Sequence, residues 1–137
     1  MNRWLPVKLS LVMFLAGCEG APYPKNEQAV AESGPPVEVS ASDLSQAYSD
    51  NEVAAQAKYG NRVLKVSGII DEITLDLYDE PVVVLKGHEM FVNVQAKFKG
   101  DISAEAAKLK KGQKIAVTCV KVTEIIGSPM LADCVIS

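Results

Sequence analysis

The sequence predicts a mainly β domain, a small β-barrel with added helices, preceded by an export signal and a spacer. Three observations predict this organisation: a short apolar N-terminus, a proline-rich stretch after residue 18, and apolar residues alternating with a period of two from Arg62. About half of the 137 residues (48%) are apolar, which is enough for one domain with its own core. We therefore divide the chain into a signal (1–17), a spacer (18–41) and a folded domain (42–137).

The first 17 residues have the three zones of an export signal. Arg3 and Lys8 supply positive charge, residues 9–15 form a short apolar run with one serine, and small residues precede Cys18. Such a run is too short to cross a hydrocarbon core of about 30 Å as a helix. One interpretation of these residues is an ordinary secretory signal with an unrelated cysteine.

The sequence Leu15-Ala16-Gly17-Cys18 resembles the lipobox of bacterial lipoproteins. The resemblance implies cleavage before Cys18, acylation of its sulfur and amine with palmitate-like chains, and firm retention on a membrane. Glu19 rather than aspartate follows the cysteine, and by the sorting rule of Gram-negative bacteria this implies the outer membrane, facing the periplasm.

A proline-rich stretch separates Cys18 from the first predicted helix. Residues 18–41 contain four prolines among Glu, Gln, Ala and Ser, and they show neither a helical nor a strand period. This composition predicts a disordered tether. About twenty flexible residues span about 25 Å on average, so we expect the domain to lie close to the bilayer.

Two capping signals predict helices at the start of the domain. Ser40 with Asp43 has the spacing of a capping box, and Ser49 with Glu52 repeats it. We expect two short helices or one kinked helix, ended by Gly60-Asn61. The predicted bounds are 43–49 and 50–59.

After Arg62 the period of two indicates β-strands. Leu64 and Ile70 share one phase and Ile73 and Leu75 the other, so the first strand needs a bulge or sharp bend near Gly68. Four more strands are predicted at 81–86, 90–97, 113–123 and 130–136, with a short helix at 103–111 that Ser103 caps. The predicted turns are Asp79-Glu80-Pro81, Gly87-His88-Glu89 and Gly127-Ser128-Pro129.

This order of elements is that of the OB-fold, a five-stranded Greek-key barrel, with a short helix between strands 3 and 4 and an N-terminal helical region. A further set of residues follows the pattern of a known family, and it consists of Leu44, Tyr48, Asn51, Ala55, Tyr59, Val66-Ser67-Gly68, Leu109-Lys110-Lys111-Gly112-Gln113 and Asp133-Cys134. With these residues the chain resembles, over residues 42–137, the tRNA_anti-like OB-fold lipoprotein family. The resemblance implies the fold and export, supplies no catalytic residues, and implies no tRNA substrate outside the cytoplasm. A second family of small bacterial periplasmic OB-fold proteins has a similar helix placement.

Cys119 and Cys134 remain as an even pair once Cys18 is assigned to lipid, which suits an oxidising compartment. Folding the last two strands about Ile126-Gly127 brings the two cysteines opposite each other, within disulfide range. A structural disulfide is the first interpretation, and two buried thiols are the second. A redox or zinc role is the third, because there is no CxxC motif and no second ligand pair.

Candidate ligand residues are Tyr78, Lys86, Phe91 and Lys97, which could act as stacking platforms and charges as in proteins that bind single strands. Filling of the core or edge by the aromatic side chains is the alternative. His88 is the one histidine, and we expect it exposed in a turn without a nucleophile beside it. The acidic residues around the first hairpin predict a solvated rim rather than a calcium site, and they are Asp71, Glu72, Asp76, Asp79 and Glu80.

The net charge of the chain and the lack of catalytic motifs in its sequence narrow the classes of function that we expect. The chain has a net charge of −3, and removal of the signal leaves 12 basic and 17 acidic residues, which disfavours nucleic acid as a partner. We find no arrangement typical of catalysis and predict no enzyme, catalytic residue, metal site or cofactor. We expect a membrane-anchored, non-catalytic OB-fold module that contacts a protein or envelope component. The alternative is oligosaccharide or nucleic-acid binding, which a basic or aromatic groove along strands two and three would favour.

Overall fold

A computed structural model describes residues 34–137 as six strands and three helices. The predicted signal peptide, the lipid site Cys18 and residues up to 33 of the predicted tether lie outside the described residues. Within the described range, no helix has the length and apolar character needed to cross a membrane. The elements are β1 (Val37–Ser40), α1 (Ala41–Asp50), α2 (Glu52–Tyr59), β2 (Leu64–Leu75), β3 (Pro81–Glu89), β4 (Val92–Phe98), α3 (Ser103–Ala106), β5 (Lys114–Ile125) and β6 (Ser128–Ile136).

Five strands close into a barrel in the order β2-β3-β4-β6-β5, because β5 also pairs with β2. Within the barrel the pairs are antiparallel except β4 with β6, which is parallel. This closed barrel with α3 between β4 and β5 is the OB-fold, as predicted. Its interior is filled by buried aliphatic side chains, among them Leu64, Val66, Val83, Leu85, Val94, Val117 and Leu131.

Strand β1 lies inside the segment that the sequence assigns to the tether, so the folded part begins at Val37 and not at residue 42. β1 runs parallel to β2, from Val37 beside Leu64 to Ser40 beside Ser67. It fills the edge of β2 that β3 leaves uncovered, since β3 pairs with β2 only from Ile70 onwards. Four residues are too few to show a period, so the strand is defined by its tertiary partner.

The phase change in β2 occurs where the sequence predicts it. The register between β2 and β3 shifts between Ile70 and Glu72, which makes the expected bulge. Gly68 lies just before the shift, where a Cβ atom would come within 2.9 Å of the Ala41 Cβ. The missing side chain therefore lets α1 begin against the barrel.

The first of the two predicted arrangements, two separate helices, is correct. Ser40 caps α1, since the Asp43 N–H donates to its Oγ over 3.0 Å. α2 is capped by Asn51 and not by Ser49, because the Ala54 N–H donates to Asn51 Oδ1 over 3.0 Å. α1 packs across β3, β4 and β6.

Three predicted boundaries are wrong in detail. α3 ends at Ala106, and Ser103 belongs to the helix and does not cap it, because Asp101 Oδ1 accepts from both its N–H and its hydroxyl. β3 continues through the predicted turn Gly87-His88-Glu89. The last turn is Ile126-Gly127, as expected from the facing cysteines, and not Gly127-Ser128-Pro129; its positive φ values of 52° and 76° suit a two-residue type I′ hairpin turn.

Candidate functional site

The four predicted ligand residues lie in two separate groups. Lys86 lies in β3 and Phe91 in the β3–β4 turn, whereas Tyr78 in the β2–β3 loop and Lys97 near the end of β4 lie at the other end of the hairpin. Phe91 and Lys97 are six residues apart along a strand, a distance of about 20 Å. The structure therefore does not bring the four into one site.

Asp76 organises the group that contains Tyr78 and Lys97. Its Oδ1 accepts the N–H groups of Tyr78 (2.8 Å) and Glu80 (3.1 Å), and its Oδ2 accepts from Lys97 Nζ over 2.9 Å. The hydrogen bond from Lys97, followed by the two amides, lowers the pKa of Asp76, and the same hydrogen bond raises the pKa of Lys97. The charge of Lys97 is thus already matched within the protein.

The outer face of β3 does not form an open groove between the two groups. Val82 and Val84 alternate with the core residues Val83 and Leu85, and yet both are buried. Along β3 and β4, which the structure describes in full, no continuous basic or aromatic groove runs over this face. The sheet neighbours of the two outer valines are Thr74, Glu72, Gln95 and Lys97.

His88 lies within β3 and is half-buried, so its prediction as an exposed turn residue is wrong. Its side chain is 9% exposed, its N–H donates to Ser45 Oγ over 2.8 Å, and its Nδ1 lies 2.9 Å from the same oxygen. Gly87 belongs to this close contact and not to a turn, because a Cβ atom there would lie 1.5 Å from the Val92 carbonyl oxygen. The contact joins α1 to the β3–β4 hairpin.

Ser45, His88 and Glu89 have the residue types of a hydrolase triad, but their geometry is structural. His88 Nε2 lies 3.6 Å from Glu89 Oε1. Ser45 is fully buried, and its hydroxyl donates to the Ser42 carbonyl oxygen over 2.9 Å. A nucleophile needs an oxygen that a substrate can reach. This oxygen is enclosed and already hydrogen-bonded.

Two clefts open on either side of Lys86-Gly87. The first, of about 330 Å³, has mixed charge, with Asp71, His88, Glu89 and Asn93 in its wall. The second, of about 310 Å³, has two lysines and three serines in its wall and no carboxylate, and we call it the lysine cleft. The sequence analysis names Lys86 as a candidate ligand residue but not the other four polar residues of this cleft. Those four lie in β1, α1, β2 and β5, which come together only in the folded barrel. The polar residues of the lysine cleft are Ser40, Ser42, Ser67, Lys86 and Lys114.

Exposed apolar side chains lie at the two turns that follow β3 and β5. Met90, Phe91 and Ile126 are 82%, 87% and 97% exposed. β4 and β6 pair in parallel from Gln95 beside Met130 onwards, and both turns precede this paired part, so they lie at the same end of the two strands. We call this surface, made of Met90, Phe91 and Ile126, the apolar end.

Two glutamates meet where α2 begins and β5 ends, beside the apolar end. Partial desolvation raises the pKa of Glu124, and a hydrogen bond with Glu52 and repulsion from its charge act in the same direction. Glu124 Oε1 also accepts the N–H of Gly127. Nearby, burial and the charges of Glu124 and Glu52 raise the pKa of Tyr48 to about 12, and its hydroxyl donates to Gln56 Oε1 over 2.9 Å.

Cys119 and Cys134 are partners in the β5–β6 ladder and form the predicted disulfide. Both belong to the buried core. Among the residues that the structure describes, no group of three or more His, Cys, Asp or Glu side chains could hold a metal ion.

The closed barrel, its helices and its internal disulfide define a small OB-fold protein. The profile of the tRNA_anti-like family matches residues 1–135, and the chain belongs to this family, as the resemblance implied. A comparison with curated proteins gives no significant match. The crystal structure of a putative nucleic acid-binding lipoprotein from Klebsiella pneumoniae subsp. pneumoniae is similar, with a TM-score of 0.56 and 17% identity, covering 73% of this chain and 92% of that one. Likeness at this identity concerns the fold.

Proposed function

We propose that the protein is a lipoprotein anchored by Cys18 whose OB-fold domain binds, without catalysis, a protein or another component of the cell envelope. The lipobox-like sequence supports the anchor. The structural relative from Klebsiella pneumoniae is also described as a lipoprotein, which supports it further. The residues between Cys18 and Val37 would form a link of about 23 Å on average. Glu19 favours the outer membrane, facing the periplasm.

The apolar end is the observation that carries the binding function. Exposed aromatic and aliphatic side chains at one end of a domain are typical of surfaces that contact another protein. Phe91 and Ile126 come from different hairpins, and both precede the paired part of β4 and β6, so the two turns lie at the same end of these strands. The closed outer face of β3 and the matched charge of Lys97 disfavour a strand of nucleic acid along the usual OB face.

The absence of catalysis is supported by the surroundings of His88. It is the one histidine of the chain, and its hydroxyl partner is the enclosed Ser45. A general base needs hydrogen-bond reach to the proton that it removes from a substrate. The contact with Ser45 occupies Nδ1, and the first cleft, which His88 also lines, has no serine, threonine or cysteine in its wall.

Site-specific photo-crosslinking in the native envelope tests the binding surface. A photoreactive residue in place of Phe91 should give a discrete crosslinked product that Ile126→Asp abolishes. The matched control is Leu77, which is 98% exposed in the β2–β3 loop. The proposal would be contradicted if positions 91 and 77 gave the same crosslinked product in equal amount, or if position 91 gave no crosslinked product.

Intact-mass measurement of the membrane-extracted protein tests the anchor. We expect a chain that begins at Cys18 and carries several acyl groups, and Cys18→Ala should release the domain from the membrane. An uncleaved signal, or a soluble product cut elsewhere, would exclude a lipoprotein.

A second candidate function is binding of an oligosaccharide or of single-stranded nucleic acid, which the lysine cleft and the name of the structural relative favour. Fluorescence anisotropy with labelled oligomers at about 0.15 M salt measures it directly. Tight binding that Lys86→Ala weakens would favour this candidate over a protein partner.

A further inference from the structure

Lys86 and Lys114 lie in one row across three strands on the outer face of the barrel. Lys114 is the register partner of Ile69 on β2. On the other edge of β2, Ile70 pairs with Leu85, so Lys86 lies level with Ile69. Because Ile70 and Leu85 face the core, the three neighbouring residues face outwards. Strands are about 4.8 Å apart, so the two lysine backbones are about 10 Å apart.

Small residues form the floor of the lysine cleft beside this row. Ser67 pairs with Ser40 on one side and with Ala116 on the other, and Gly68 follows it without a side chain. These short side chains leave the volume of about 310 Å³ that the lysines border. The cleft therefore has room for a compact polar group.

Neither lysine of the cleft forms an ion pair within the described residues, although Lys86 also borders the first cleft, where Asp71 and Glu89 lie. The ion pairs among the described residues involve other cations, so neither Lys86 nor Lys114 has a carboxylate partner there. The acidic residue on the outer face of β1, Glu38, lies 3.8 Å from Lys65 Nζ. In a protein with a net charge of −3, this cleft is a local site of positive charge.

Hydroxyl groups supply hydrogen bonds beside the two charges. Ser42 and Ser67 use their hydroxyls in no hydrogen bond within the described part of the chain, and both line the cleft. Ser40 Oγ accepts the Asp43 N–H, which leaves its own O–H free to donate. Up to three hydroxyl donors and two ammonium groups thus border one space.

We propose that the lysine cleft binds the phosphate group of an anionic ligand, held by Lys86 and Lys114 and by the hydroxyls of Ser40, Ser42 and Ser67. Lysine binds phosphate as a point charge on a flexible stem, so two lysines on flanking strands can converge on one group. This site deepens the proposed binding function, since it names the ligand chemistry on a surface separate from the apolar end. A soluble phosphate ester and a phospholipid headgroup offer the same chemistry.

Titration of the full-length chain in an uncharged detergent with inorganic phosphate tests the site. The amide signals of Gly68 and Gly87 should shift with saturation, and Lys86→Ala/Lys114→Ala should weaken the affinity at least about tenfold. The matched control is Lys65→Ala/Lys121→Ala, which removes the same charge from lysines that are ion-paired. Absence of saturable shifts, or an equal loss of affinity in the control, would overturn the site.

The source of the phosphate is distinguished by two further titrations. Glycerol phosphate in solution and phosphatidylglycerol added to the micelles should be compared for the same amide shifts. Shifts from glycerol phosphate alone identify a soluble ester, and stronger shifts from the lipid identify a headgroup. The double lysine variant should still crosslink through position 91, so failure of the phosphate site is separable from failure of the protein-binding surface.

Discussion

Ser45 in α1 and His88 in β3 hold each other by two contacts to one oxygen. The His88 N–H donates to Ser45 Oγ over 2.8 Å, and His88 Nδ1 lies 2.9 Å from it. Ser45 Oγ also lies 2.9 Å from the Ser42 carbonyl oxygen, within its own helix. The pair therefore fastens the helix to the hairpin.

Removal of the Ser45 hydroxyl should destabilise the domain. Ser45→Ala leaves the His88 N–H without its acceptor and Nδ1 without its hydrogen-bond partner, which costs about 1–3 kcal/mol of unfolding free energy. Urea unfolding measures the loss. Ser49→Ala, at an exposed position of the same helix, should change stability little. An equal effect of both substitutions would mean that the contact between helix and hairpin contributes nothing specific.

Gly87→Ala should destabilise the domain by about 3 kcal/mol or more, because the added Cβ atom would overlap the Val92 carbonyl oxygen. The comparison is Gly100→Ala, where φ is +75° but no atom lies within 4 Å of the added Cβ. That control isolates the backbone cost of about 1–2 kcal/mol. In thermal unfolding, Gly87→Ala should have a lower melting temperature than Gly100→Ala. The reverse order would contradict the close packing at Gly87.

Reduction of the disulfide should lower the unfolding free energy by about 3 kcal/mol, since the bond closes a loop with a sequence separation of 15. Denaturant titrations with and without a reductant measure this difference. The variant Cys119→Ala/Cys134→Ala should be insensitive to the reductant. Thiol labelling of the oxidised, folded protein that reaches both cysteines would disprove the bond.

Glu124→Gln should stabilise the domain at neutral pH. Desolvation and the contact with Glu52 raise the pKa of Glu124 in the folded state, so its stabilising contribution is present at low pH and is lost as the pH rises through that pKa. The glutamine keeps an oxygen for the Gly127 N–H. Melting temperatures from pH 4 to pH 8 should show the advantage of the variant growing with pH, and an advantage that shrinks with pH would contradict the raised pKa of Glu124.

Asp76→Asn should have the opposite dependence on pH. The hydrogen bonds from Lys97 and from the amides of Tyr78 and Glu80 lower the pKa of Asp76, so its contribution is present above the unfolded pKa and is lost as the pH falls through the folded one. The variant should therefore be less stable at neutral pH and approach the wild type in acid. Faster hydrogen exchange at Tyr78 and Glu80 would locate the loss in the β2–β3 loop, and unchanged exchange would contradict it.

Local chemistry explains the parts of the fold that the sequence predicts well. The cap at Ser40, the phase change in β2 and the facing cysteines each depend on residues close in sequence or on one hairpin. β1 is missed because its partner lies 27 residues further along the chain, where Val37 pairs with Leu64. A strand of that length carries no signal of its own.

The candidate sites were harder to predict, for a different physical reason. Gly87 indicates a turn when only its neighbours are considered, whereas its function is to let α1 and Val92 approach the backbone. His88 is covered by a helix that begins more than forty residues earlier. Lys114 and Ser40 join Lys86 only because the barrel closes. Contacts of this kind depend on topology, which the pattern of residues does not encode locally.

The parallel pairing of β1 with β2 also determines how the domain would respond to mechanical force. The chain enters the fold at Val37, and its N–H donates to the Val63 carbonyl over 2.9 Å. Tension applied ahead of Val37 in the direction of β1 would shear the hydrogen bonds to β2 together rather than open them one after another. A domain pulled by a tether at this point would resist extension at its first strand, before the load reaches the barrel.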